Sequence, residues 1–196
     1  MQDIENLTKI LSRLPGFGPR SAKRAVLYIL KKREFLLPPL IDALKTAGEN
    51  IGDCEICGNL DTNNPCGVCS DIKRDKSIIC VVEEVSDLWA INRTDNFKGQ
   101  FHVLGGVLSA IDGITPEQLN INTLISRIES GEVKEVILAT NLTVEGQSTS
   151  HYLSELLREY DVKITRLANG VPVGGELDYL DDGTLSIALQ SRKEVE

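Results

Sequence analysis

The apolar residues of the first segment recur every three or four positions, which predicts an amphipathic helix over residues 3–14. Residues 19–33 repeat this pattern, and Pro19 suits the first turn of a second helix. A third helix is expected to begin after Pro38 and Pro39, because proline cannot donate a helical hydrogen bond. The residues expected on its inward face are Leu40, Ala43, Leu44, Ala47 and Ile51.

From residue 77 onward, short apolar runs alternate with segments of helical pattern. The runs predict strands at residues 78–82, 101–104, 136–139 and 162–167. Helices are expected at residues 86–89, from Thr115 onward, at 151–160 and around 185–189. Ser86 is a candidate cap for the first of these helices, and Thr115 with Gln118 forms a capping box at the second. Strands that alternate with helices indicate a parallel α/β domain.

Four cysteines between these two regions form two Cys-x-x-Cys pairs. They are Cys54, Cys57, Cys66 and Cys69. This spacing lets two tight turns each bring two thiolates to one tetrahedral zinc ion, and Gly58 and Gly67 give those turns backbone freedom. Two disulfides are the alternative, but that pattern belongs to small secreted chains, and Met1 opens a polar stretch without an apolar signal core. We therefore expect one structural zinc ion per chain.

The composition is that of an ordinary globular protein, with 196 residues, 41% hydrophobic and 26% charged. No apolar run approaches the roughly 20 residues that a membrane helix needs, so we expect no membrane partner and a cytoplasmic location. The fifth cysteine, Cys80, lies in an apolar run and is expected to pack in the core. Structural roles are likewise expected for His102 and His151.

The net charge of −8 is distributed unevenly along the chain. Residues 1–33 contain eight basic residues against Asp3 and Glu5, a net charge of +6, so the rest of the chain carries −14. Phosphate binding depends on Lys and Arg, which confines any contact with a polyanion to this first segment. A merely solvated basic helix face is the alternative.

A glycine hairpin lies between the first two predicted helices. Gly16 and Gly18 stand where backbone N–H groups at a helix N-terminus can hold a phosphate without reading bases. Arg20, Lys23 and Arg24 extend the positive surface by one turn. These five residues are the predicted DNA-binding site, and an ordinary helix connection is the alternative.

The residues of the hairpin, 14–22, resemble a helix-hairpin-helix motif. With the cysteine quartet and residues 81–83 after it, the order resembles that of the bacterial recombination mediator family RecR. Residues 139–146 resemble the Toprim segment of that family, and residues 170–177 resemble its C-terminal signature.

The resemblance implies a multidomain α+β and α/β chain with four parts. They are a helix-hairpin-helix DNA-binding region at 1–52, a four-cysteine zinc knuckle at 53–76, a Toprim-like parallel α/β domain at 77–173, and a C-terminal segment with a short helix at 174–196. It further implies a homo-oligomer, expected to be a tetrameric ring, that binds DNA without sequence preference. Such a protein acts with RecO and RecF to load recombinase on single-stranded DNA during repair.

Catalytic members of the similar Toprim domains share a glutamate and an Asp-x-Asp pair, which together bind magnesium. Here Glu83 matches the glutamate, but Asn141 and Thr143 stand at the aspartate positions, so the chain is not expected to be an enzyme. Glu83 and Glu145 remain candidates for a weak magnesium site or for contact with a basic partner. The family pattern is also absent at Val107 and Gln147, so no role is carried over there.

Two other classes of function stay open from the sequence alone. One is a Toprim-type nuclease or primase with relaxed metal ligation, which would need magnesium. The other is a protein-interaction module without DNA contact, which the acidic body favours and the basic first segment opposes.

Overall fold

The computed structural model describes residues 1–168 and 170–192 and divides the chain into two compact units. The first is Met1–Ile51, and the second begins at Gly52. Across the described ranges, none of the helices has both the length and the apolar character needed to cross a bilayer.

The first unit is a set of three helices. They are α1 (Gln2–Leu11), α2 (Pro19–Lys31) and α3 (Arg33–Asn50). Helix α1 packs on α2, and α2 packs on α3. Within residues 1–51, all of which the structure describes, only Ala22 and Val26 of α2 are buried. A unit of this size therefore has almost no core of its own.

The prediction for the start of α3 was wrong. The helix begins at Arg33 because the N–H groups of Phe35 and Leu36 donate to the Lys32 carbonyl at 3.1 and 3.0 Å, which closes a turn before the prolines. Pro38 and Pro39 then continue the helix, since their φ is already helical.

The predicted inward face of α3 was also wrong. No residue of 41–51 is buried, and the Leu44 side chain is 65% exposed. The apolar spacing is present, but within a single chain nothing packs against most of it.

The second unit opens with the cysteine segment. A short antiparallel pair, β1 (Gly52–Asp53) and β2 (Leu60–Asp61), precedes the one-turn helix α4 (Gly67–Ser70). These elements were not predicted from the sequence, because two-residue strands and a single turn carry no detectable periodicity.

A four-stranded parallel sheet forms the centre of this unit. Its strands are β3 (Asp75–Val82), β4 (Gly99–Val103), β5 (Glu135–Leu138) and β6 (Lys163–Arg166), in the order β4-β3-β5-β6. The helices of the unit are α5 (Val85–Asn92), α6 (Ile121–Glu129), α7 (Val144–Leu157) and α8 (Asp182–Gln190), with 3-10 turns at Pro116–Gln118 and Leu177–Tyr179. The predicted fold class is confirmed.

Alternation along β3 divides the core into two layers, since successive side chains of a strand point to opposite faces. Ile79 and Val81 pack in one cluster with residues of α6 and α7. Cys80 and Val82 pack in the other, with Leu88 of α5. Cys80 is 2% exposed and belongs to the core as expected, and burial raises its pKa to about 12.

Three predicted helix starts need correction. Helix α5 is capped by Glu84, whose N–H donates to Asp87 at 3.0 Å, so Ser86 lies inside the helix. The predicted capping box of Thr115 and Gln118 is present, but the helix that it begins is a 3-10 turn, and α6 starts later. Helix α7 begins well before residue 151 because Thr143 caps it through a hydrogen bond from Gly146.

Candidate metal centre and nucleic-acid interface

The four cysteine sulfurs of the knuckle converge on one point. All four Sγ atoms lie within 4.8 Å of one another. The Cys54 and Cys69 sulfurs are 3.9 Å apart, and those of Cys57 and Cys66 are 3.6 Å apart. A tetrahedral ion with Zn–S bonds of about 2.3 Å requires sulfur separations of about 3.8 Å, so the residues fit zinc.

The backbone of the knuckle holds these sulfurs in place. The Gly58 N–H donates to the Cys54 carbonyl at 2.8 Å, and the Cys66 N–H donates to the Cys54 sulfur at 3.4 Å. Gly58 has φ +74°, and a Cβ there would lie 3.1 Å from the Val103 carbonyl. The Val103 N–H donates to the Cys57 carbonyl at 2.7 Å, which attaches the knuckle to β4.

Hydrogen bonding between two of the thiols shifts their pKa values in opposite directions. A hydrogen bond from the Cys69 thiol, opposed by burial, lowers the pKa of Cys57 to about 6, and the same bond raises the pKa of Cys69. Zinc binding requires thiolates, so it releases the remaining protons.

His102 and Arg127 lie on the α6 side of β4. His102 is fully buried, and its Nε2 donates to the Asn120 carbonyl at 2.6 Å. Arg127 Nη1 donates to the Phe101 carbonyl at 2.6 Å and lies 3.4 Å from His102 Nδ1. Burial lowers the pKa of His102 to about 4, so the ring is neutral and structural, as expected.

The other histidine differs from its expected role. His151 is exposed on α7 and lines a cavity of about 710 Å³ at the carboxyl ends of β5 and β6. It therefore has no buried structural role.

The glycine hairpin has the geometry of a tight turn followed by a helix start. Gly16 has φ +76°, which L side chains rarely adopt, and the Phe17 N–H donates to the Leu14 carbonyl at 3.0 Å. Gly18 caps α2, and Pro19 occupies the first turn. A Cβ at either glycine would meet no atom within 4 Å, so the backbone is open on that side.

The basic side chains predicted to bind DNA are exposed on α2. Arg20, Lys23 and Arg24 lie on its first two turns, and none of them pairs with a carboxylate of the described residues. The first turn contains no acidic residue. A free positive surface therefore adjoins the positive end of the helix dipole.

The carboxyl ends of β3 and β5 bring Glu83 and Asn141 together. Both oxygens of the Glu83 carboxylate accept hydrogen bonds from Asn141, from its backbone N–H at 2.7 Å and its side-chain amide at 2.5 Å. A Cβ at Gly146 would lie 2.3 Å from the Asn141 carbonyl oxygen and 2.5 Å from Glu83 Oε1, and the backbone clash restricts the position to glycine. Thr143 caps α7, and Glu145 is half-buried in the first turn of that helix.

One contact of the knuckle was missed at the level of the sequence. Trp89 Nε1 donates to Asn59 Oδ1 at 3.0 Å, and the indole is 54% exposed. No sequence signal pointed to this contact, because the two residues are 30 positions apart; the sequence distinguishes Trp89 only as its single tryptophan.

Comparison with known protein families covers nearly the whole chain. The matching family models are the RecR helix-hairpin-helix at residues 4–48, the RecR four-cysteine zinc finger domain at 51–71, the Toprim domain at 77–168 and the RecR C-terminal segment at 170–193. These matches define a Toprim protein that carries a helix-hairpin-helix unit and a four-cysteine zinc finger.

Comparison with individual proteins identifies the family to which the chain belongs. The chain is 57% identical to the recombination protein RecR of Erythrobacter litoralis over 195 residues, 100% of this chain and 98% of that protein. It is 57% and 56% identical to those of Methylobacterium radiotolerans and Brucella melitensis, over 97% of this chain and 94% of each relative. The chain belongs to the RecR family, and the predicted resemblance and structural zinc are confirmed.

Replacing one zinc ligand should abolish metal binding. Cys66→Ser leaves three sulfurs around the ion, and we expect zinc content to fall from one per chain toward none, with a lower melting temperature, because metal binding and folding are coupled. Metal analysis and thermal unfolding measure both effects. Cys80→Ala is the matched control, because it removes the fifth sulfur and should keep the zinc; a Cys66→Ser protein with full zinc would contradict the site.

Proposed function

We propose that this protein is a noncatalytic DNA-binding mediator of recombinational DNA repair. The observation that carries the proposal is the open hairpin of Gly16 and Gly18, followed by three exposed basic side chains on α2 in an otherwise acidic chain. The relatives named as recombination proteins support the assignment to recombination.

The hairpin contacts backbone phosphates and reads no bases. Its N–H groups and the helix dipole favour an anion, and Arg20, Lys23 and Arg24 add charge without a shape that fits base edges. Binding is therefore independent of sequence and strongly dependent on salt.

Replacing Arg20, Lys23 and Arg24 together with alanine should weaken binding to all DNA sequences alike. Each lost phosphate contact lowers the slope of log K against log salt by about 0.9, so the slope should fall by up to about 3. Fluorescence anisotropy with labelled DNA across a salt series measures it.

The control variant removes the same number of positive charges, three, from the second unit. Lys134, Arg158 and Lys163 are exposed there, and their joint replacement by alanine should leave binding nearly unchanged. Unchanged low-salt affinity of the α2 variant would remove the hairpin from the site.

A single hairpin makes few phosphate contacts, so useful affinity favours several copies in one assembly. The first unit supports self-assembly, because only two of its residues are buried while large apolar side chains stay in solvent. Among them are Tyr28, Phe35, Ile41 and Leu44. A second copy of this unit that covers α3 would supply the missing core.

The second unit offers a separate apolar surface. No residue of 170–192 is buried, and Leu177 and Tyr179 are 62% and 82% exposed beside several acidic residues. The cavity at the carboxyl ends of β5 and β6 contains Arg166 and has no carboxylate among its lining residues, so it complements such a segment from a second copy. Two different contacts per chain can close a ring, and we propose a tetramer.

Charge on the apolar face of α3 should break the assembly. Leu44→Glu places a carboxylate where we propose subunit contact, and the oligomer should dissociate at micromolar concentration, as measured by light scattering. Lys45→Glu changes the adjacent exposed residue and should keep the oligomer. A wild-type protein that is monomeric with and without DNA would refute the proposed ring.

The remaining assignments concern partners and location. We propose that the protein acts with RecO and RecF in the cytoplasm to help load recombinase on single-stranded DNA. Glu145 is the acidic residue that we assign to contact with a basic partner, since it is partly exposed and directly precedes Gly146, which packs against the Glu83 and Asn141 pair.

The proposal of a noncatalytic role rests on Glu83. Its two oxygens are occupied by Asn141, and neutral Asn141 and Thr143 stand where magnesium would need carboxylates. We therefore expect purified protein to neither cleave nor extend DNA in the presence of magnesium. Magnesium-dependent activity that Glu83→Gln abolishes would support the nuclease or primase alternative instead.

A further inference from the structure

We infer that Trp89 of α5 and Arg93, the C-cap of that helix, form a stacking site for an unpaired nucleobase of single-stranded DNA. This inference rests on the proposed DNA-binding function and adds to it a contact in the second unit that selects the form of DNA.

The indole of Trp89 is held in place and still accessible. Its Nε1 donates to Asn59, a residue that is only 4% exposed, while 54% of the tryptophan surface remains in solvent. The Asn59 carbonyl in turn accepts the N–H of Cys54 at 2.7 Å, so a zinc-ligand segment fixes the ring. An aromatic ring fixed in this way loses little side-chain entropy when a ligand stacks on it.

The surroundings of the ring suit a polyanion. The exposed residues of α5 and its C-cap recur with the spacing i, i+3, i+4 and i+7, so they share one face of the helix. This α5 stripe consists of Ser86, Trp89, Ala90 and Arg93. No carboxylate lies in this stripe, although the chain beyond residue 33 carries −14. Asp87 is turned to the helix start, where it accepts the N–H of Glu84. Arg93, exposed one turn after Trp89, supplies the positive charge that a phosphate next to a base on the indole would need.

Unpaired bases fit this stripe better than a duplex. Base stacking on aromatic side chains is sequence-tolerant and needs an open base face, which a duplex does not present. The hairpin contacts only the phosphates, so the α5 stripe would add the preference for unpaired strands. Trp and Arg are also frequent at protein contacts, and the experiment separates that case.

Intrinsic fluorescence tests the site directly, because Trp89 is the only tryptophan. An unstructured oligothymidylate should quench the emission at low salt, and a duplex of equal length should change it far less. By anisotropy, Trp89→Ala should lower single-strand affinity about tenfold, equivalent to about 1.4 kcal/mol, with duplex affinity unchanged. Trp89→Phe keeps an aromatic ring and should lose less, and Arg93→Ala should also weaken single-strand binding.

Matched variants make the outcome decisive. Tyr152→Ala removes a partly exposed aromatic ring of α7 in the same unit and should leave both affinities unchanged. Zinc content identifies any variant that fails to fold. Wild-type single-strand affinity in both Trp89 variants, or equal quenching by duplex, would overturn the inference. A change in Trp89 emission only with a partner protein would overturn it too, whereas wild-type protein that binds neither DNA would refute the proposed function itself.

Discussion

The convergence of four sulfurs on one ion is the constraint around which the second unit is arranged. The knuckle has no apolar core beyond its own cysteines and a few partly buried neighbours, so the metal supplies the folding energy that burial cannot. The Cys57 carbonyl then accepts the Val103 N–H, and Asn59 accepts the indole N–H of Trp89. The metal centre thereby fixes the end of β4 and the middle of α5.

The carboxyl ends of β3 and β5 are joined by a hydrogen-bonded pair of side chains. Glu83 remains at the strand end, but the adjoining position is an asparagine whose two N–H groups satisfy the carboxylate. A hydrogen-bonded pair of this kind satisfies the buried carboxylate and stabilises the strand ends. Gly146 permits the close approach, because a side chain there would collide with the Asn141 backbone carbonyl as well as with Glu83.

The sequence predicted what depends on local pattern. Every strand of the parallel sheet was predicted, since β-branched and aliphatic runs are unambiguous when they alternate with helices. The cysteine spacing likewise predicted the zinc site. The four domain boundaries and the DNA-binding residues stay predictions.

The features that the sequence did not predict depend on contacts between residues far apart in the chain, or on the absence of such contacts. The start of α3 was misjudged because Pro38 suggested a boundary, whereas the Lys32 carbonyl nucleates the helix earlier. The exposure of Leu44 could not be foreseen, because periodicity indicates an apolar face without saying whether the same chain covers it. The bond between Asn59 and Trp89 joins residues 30 positions apart.

The strand order makes β4 and β6 the two edge strands of the sheet. An exposed edge strand can form hydrogen bonds with strands of other molecules, which leads to aggregation. The knuckle covers the end of edge strand β4, where the Cys57 carbonyl accepts the Val103 N–H. On edge strand β6, Lys163 and Arg166 supply charges that disfavour such pairing. Loss of the metal would therefore cost solubility as well as stability, since it would uncover a strand whose residues are otherwise all buried.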